Sequence, residues 1–168
     1  MGPARLDDAL RDAEEAGEFL SSLRKMGAQD LDAYLLLSGV AKVEIHVKRE
    51  EWQDAVVESM LALQEMTAAD YVHPVIPWGG LDRLTQCLKK TAESTTGDDQ
   101  QVARKFLMIA TLNRGYAADA WGRHEQAVEN AERMFEVMPK VPAPVYPGFL
   151  TILIRNHFAG LSDVSLIC

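Results

Sequence analysis

The chain has 168 residues, 48% of them hydrophobic and 25% charged, the composition of a soluble globular domain. Its 25 acidic against 17 basic residues give a net charge of −8, which disfavours nucleic acid as the main partner, because that binding rests on phosphate neutralisation by Lys and Arg. Two cysteines, Cys87 and Cys168, cannot supply a disulfide framework for a chain this long, so reduced thiols and a cytoplasmic location are expected.

The N-terminus MGPARLDDAL has no apolar signal core, and no apolar run approaches the length of a membrane span. Leu6, Leu10, Ala13, Leu20 and Leu23 recur at helical spacing, and Gly27 is placed to stop this first helix. Asp30 is positioned to cap a second helix carrying Tyr34, Leu35, Leu37, Val40, Val43 and Val47, which Lys48 and Arg49 close on the favourable end of the helix dipole. A third helix is expected over Glu50–Met66, with Trp52, Val56, Met60 and Leu63 on one side and Glu50 and Glu51 in its first turn.

The pattern then breaks. Residues 67–80, TAADYVHPVIPWGG, hold two prolines and a double glycine and read as an irregular loop. A short helix is expected at Leu81–Ala92, then the polar loop Glu93–Gln100. A fifth helix spans about Asp99–Trp121, and Gly122 stops it. A sixth runs to Pro139. Residues 139–148 form a proline-rich extended connector, and Phe149–Ala159 is read as a last helix. The whole is a single all-α domain, residues 1–168, of about seven helices.

Two long helices separated by one glycine must fold back as an antiparallel hairpin, and close approach of their backbones needs small residues at the crossing. Gly115 and Ala127 are twelve residues apart, and Pro139 follows after twelve more. This spacing resembles the tetratricopeptide repeat (TPR), a ~34-residue helix pair. The segment TLNRGYAADAWGRHEQAVENAERMFEVMP is similar to the Asn-Arg variety of co-chaperone repeats. Thr111, Arg114 and Ala118 depart from the family's Trp, Leu and Tyr, with Tyr116 and Trp121 supplying bulk from neighbouring positions. A weaker echo is Val43–Met66, where Ala55 stands 72 residues before Ala127, about two repeat units. The resemblance implies a short α-solenoid of stacked hairpins, with one clear repeat near residues 108–139 and a weak one near 36–67.

It also implies a function: a non-catalytic scaffold, adaptor or co-chaperone-like module that binds a protein or peptide partner in a concave groove. Asn113 would contact the peptide backbone or terminal carboxylate, since an amide donates and accepts at once. Tyr116 would share its face. The Lys and second Asn of the family's carboxylate clamp have no counterpart near Trp78–Asp82.

Catalytic and metal motifs are poor. His124-Glu125 begins a zinc-protease pattern, but Val128 stands where the second histidine belongs. Cys87 reads as a buried small hydrophobe. No catalytic residue, metal or cofactor is expected. Two alternatives stay open. One is a small all-α enzyme or ligand binder with a pocket under the loop at Tyr71, His73 and Trp78. The other is a regulatory fragment of a larger TPR-type regulator, whose incomplete array would self-associate.

Overall fold

The computed structural model describes residues 3–64 and 75–137. Among them are six α-helices and no strand: α1 (Pro3–Lys25), α2 (Asp32–Arg49), α3 (Trp52–Gln64), α4 (Val75–Ser94), α5 (Gly97–Ala120) and α6 (His124–Val137). No helix among these residues is long and apolar enough to cross a membrane. The expected helix at Phe149–Ala159 and the connector 139–148 lie outside the described residues.

Each helix packs on the next in sequence where a short turn joins them; α2 and α3 also touch α4, and α3 touches α5. Three of the reversals share one chemistry. α1 ends at Gly27 (φ 93°), α2 at Glu50 (φ 62°) and α5 at Gly122 (φ 75°), all left-handed. In each, the next residue's N–H reaches back to a carbonyl five residues earlier: Ala28 to Leu23, Glu51 to His46 and Arg123 to Ala118, at 3.0, 2.9 and 2.8 Å. This closing pattern satisfies carbonyls that the helix end would otherwise leave open. Gly27 and Gly122 therefore act as the sequence suggests. Glu50 does not sit in the first turn of α3 but forms the left-handed end of α2. Asp30 is also left-handed (φ 60°), so Leu31 takes the cap position expected of Asp30.

The largest departure from expectation is α4. It begins at Val75, six residues before Leu81, so residues 75–80 are helical rather than part of an irregular loop. Pro77 stands in the first turn, where a backbone N–H has no intrahelical partner to lose. Gly80 is buried, and a Cβ there would stand 3.1 Å from Leu37 Cδ2 and 3.2 Å from Leu36 Cδ2. The glycine lets α4 lie directly on α2, and the packing offsets its poor helix propensity.

The core sits around α2. Leu36, Val40, Val43 and Val47 form one continuous stripe at spacings of four and three. The same core cluster holds Ala55, Ala62 and Leu63 of α3, Leu81, Leu84, Cys87 and Leu88 of α4, and Ala110 and Ala117 of α5. Tyr34, expected on this stripe, is 47% exposed. Polar ties run across the helices outside the core. Arg49 reaches Asp7, Lys42 pairs with Glu58 at 2.6 Å, Arg83 grips Glu44 with two nitrogens, and Arg114 meets Asp82 at 2.7 Å.

The closest crossings use small residues. A Cβ on Gly39 would fall 2.7 Å from Ala62 Cβ and 3.2 Å from its Cα, so α2 and α3 nearly touch backbone to backbone. These residues lie at similar distances on either side of the turn at Glu50, as an antiparallel hairpin requires. Gly115 is less tight, its Cβ position being 3.4 Å from Asn130 Cβ and 3.7 Å from the Ala127 carbonyl oxygen. At Gly79 nothing lies within 4 Å.

These distances predict a graded response in denaturant unfolding. Gly39→Ala should lose about 1–3 kcal/mol through overpacking, despite its better helix propensity. Gly115→Ala should be close to neutral, and Gly79→Ala should gain up to about 1 kcal/mol. Equal responses at all three positions would contradict the crossing geometry.

Candidate functional site

α4, α5 and the end of α6 enclose a groove of about 690 Å³. α5 contributes Gln100, Arg104, Leu107, Thr111 and Arg114, at alternating spacings of four and three that keep them on one helix face. α4 contributes Asp82, Gln86, Lys89 and Glu93, and α6 adds Arg133 and Glu136. Ala92, Leu107 and Thr111 give the groove an apolar base, because the Thr111 hydroxyl donates to the Leu107 carbonyl at 2.7 Å. The rims are charged. Four cations face three anions there, so the groove is slightly positive in a chain of net charge −8.

These charges are not equally committed. Arg114 is tied to Asp82; burial lowers its pKa, and Asp82 opposes that fall. Arg133 lies 3.8 Å from Glu129, one helical turn away. Lys89 is exposed and Arg104 half-buried, and neither is in an ion pair with a described residue. Gln100 is held in place, its amide donating to the Ala92 and Thr95 carbonyls at 2.9 Å each. The groove thus offers preset polar walls with two uncommitted cations.

One end of the groove abuts an aromatic–guanidinium cluster. The Trp78 and Trp121 rings stand 5.7 Å apart at 60°. The Arg123 guanidinium lies 3.6 Å from the centroid of Trp121 and 5.6 Å from that of Trp78, and Arg114 is 5.4 Å from Trp78. Cations over indole faces are attracted by the ring quadrupole. The cluster locks the start of α4 to the α5–α6 turn. Trp78 is therefore a helical residue in a packed cluster rather than part of a loop.

The residues expected to bind a partner are not brought into this groove. Asn113 lies on α5 beside the groove face, and its side-chain amide donates to the Ile109 carbonyl at 2.9 Å. Tyr116 is half-buried on the same helix, and burial raises its phenol pKa. The groove face runs through Thr111 and Arg114 instead. Tyr71 and His73 lie outside the described residues. The sequence reading missed Lys89, Arg104 and Arg133. For Arg104 the signal was the one-face spacing from Gln100 to Arg114 on α5; Lys89 on α4 and Arg133 on α6 join it only through the packing of the three helices.

Cys87 is buried in the core, as expected, 9% exposed. Burial, with the nearby Glu44 charge, pushes its thiol from the ordinary 9.0 up to about 11. A thiol held protonated is a poor nucleophile at neutral pH. Compared with known protein families, curated proteins and solved structures, the chain gives no match, so its function is read from this geometry.

The Cys87 environment carries a pH signature. The folded state holds the thiol proton more tightly than the unfolded chain, so its contribution is fully present below about pH 9 and lost as pH rises through about 11. Stability should fall over that window by on the order of 2 kcal/mol more in the parent than in Cys87→Ala. Parallel stability curves for the two proteins would show that the thiol is not desolvated as described.

Proposed function

We propose that the chain is a non-catalytic protein-binding module, a cytoplasmic scaffold or adaptor, that receives an extended peptide in the groove between α4, α5 and α6. The observation that carries this reading is the groove itself. It has an apolar base, fixed amides and charged rims set along one face of a helix, the combination that recognises a main chain and a few side chains together.

The α5–α6 hairpin supports the further reading that the module is TPR-like. Gly115 faces Ala127 and Asn130 across the hairpin at the positions where that repeat places its small residues. In this reading the binding face is displaced from the family's expected position. Arg104 and Lys89 take the leading part, with Arg114 and Gln100 as preorganised neighbours, and Asn113 serves its own helix. Preorganisation matters because side chains already fixed lose less entropy when a partner binds.

The test is selection from a random displayed library of twelve-residue peptides against the whole chain, followed by affinity measurement on the enriched sequences. Peptides rich in acidic residues should emerge. Their affinity should drop at least tenfold, about 1.4 kcal/mol, in Arg104→Glu, while Asn113→Ala should leave it within twofold. Failure to enrich any peptide, or equal binding by Arg104→Glu, would remove the groove from consideration.

A further inference from the structure

The turn between α2 and α3 gathers three metal-ligating side chains, none of which lines the groove. His46 lies in the last turn of α2, Glu51 in the turn itself and Asp54 in the first turn of α3. One ligand atom from each, a ring nitrogen and two carboxylate oxygens, lies within 4.8 Å of the others. His46 Nδ1 and Glu51 Oε2 are 2.7 Å apart.

The backbone dictates this convergence. The left-handed Glu50 brings the Glu51 N–H onto the His46 carbonyl at 2.9 Å, which sets the two side chains at one helix end. Asp54, three residues after Glu51, falls on the same side of the opening turn of α3. The three are graded in exposure. The His46 side chain is 13% exposed, Glu51 39%, and Asp54 lies in solvent. The arrangement has an anchored, shielded nitrogen and two carboxylates reachable from outside.

We propose that His46, Glu51 and Asp54 form a binding site for a divalent transition-metal ion of the Zn²⁺ class. One imidazole with two carboxylates is a borderline donor set, which suits zinc and its neighbours better than Mg²⁺ or Ca²⁺, both of which prefer all-oxygen shells. Ligand atoms bound at about 2.0–2.2 Å from a common ion stand roughly 3–4 Å apart, so the trio needs only small side-chain rotations to close on one. Three protein ligands leave a fourth tetrahedral position for water or a partner's side chain. The Glu51 and Asp54 carboxylates come within 4.8 Å of each other beside the imidazole. Arg49 offers partial relief at 3.8 Å from Glu51 Oε2, but its closer partner is Asp7. A cation centred on the trio would neutralise both acids directly. The site stands independently of the groove and of any peptide bound there.

The experiment is calorimetric titration of ZnCl₂ into the full chain, paired with the visible spectrum of the Co²⁺-substituted protein. The parent should take up an equivalent of Zn²⁺ that His46→Gln and Asp54→Asn each lose or bind at least tenfold more weakly. His124→Gln, which alters the exposed His124–Asp119 pair, should bind as the parent does. Co²⁺ should give d–d bands that vanish in the same two variants. Asp54 is exposed, so Asp54→Asn keeps the fold and remains informative where His46→Gln unfolds. No uptake by the parent, or uptake that Asp54→Asn leaves unchanged, overturns the assignment.

Discussion

The contact on which the structure depends is the near-touching of α2 and α3 at Gly39 and Ala62. With less than 3 Å between the position of a Gly39 Cβ and the Ala62 methyl, the crossing has no room for a side chain at Gly39. That closeness lets the α2 stripe of Leu36, Val40, Val43 and Val47 reach α3 and α4 at once. α2 is therefore the spine of the molecule. Its opposite flank meets α1 through the Ser38 hydroxyl, which donates to the Ala13 carbonyl at 2.8 Å beneath Gly17. Gly80 brings α4 down on Leu36 and Leu37. Small residues at these crossings help convert helix pairs into a close-packed stack, where dispersion contacts accumulate.

The helix ends do a second kind of work. Gly27, Glu50 and Gly122 reverse the chain with the same hydrogen-bonding pattern, but only Glu50 carries a side chain in the left-handed region. That conformation costs roughly 1–2 kcal/mol for a residue with a Cβ. The turn it makes is the one that draws His46, Glu51 and Asp54 together. A strained backbone residue beside converging ligand atoms is where function is commonly found, and the proposed metal site gives that strain a role.

Charge is distributed by position rather than by count. The acidic excess does not pervade the groove, whose rims carry Lys89, Arg104, Arg114 and Arg133. Most of the interhelical ion pairs fasten adjacent helices outside the core, and partly exposed pairs of this kind contribute little stability each. Their value is in fixing side chains. Arg114 is held by Asp82 and faces Trp78, so it presents a set surface at the groove end instead of a mobile one. Trp121 and Arg123 extend that rigid corner into the α5–α6 turn.

Local chemistry in the sequence was enough to determine several features. Apolar residues at three- and four-residue spacing gave the helices seen among the described residues, Gly27 and Gly122 gave two of the reversals, Cys87 gave a core thiol, and the glycine at 122 gave the α5–α6 hairpin, whose crossing at Gly115 is an ordinary contact rather than the close approach expected. Each depends on residues near in sequence or on one helix face, where periodicity and backbone preference act directly. Other features were decided by contacts between distant segments. α4 starts at Val75 despite Pro77 and Gly80, because Leu36 and Leu37 receive the bare glycine backbone. The groove face of α5 passes through Arg104 and Arg114 rather than Asn113, because α4 and α6 select which side is lined. Trp78 meets Arg114, Trp121 and Arg123 only across three helix ends. Which polar flank of a helix is left open as a groove is a property of its neighbours, and the spacing within the helix does not encode it.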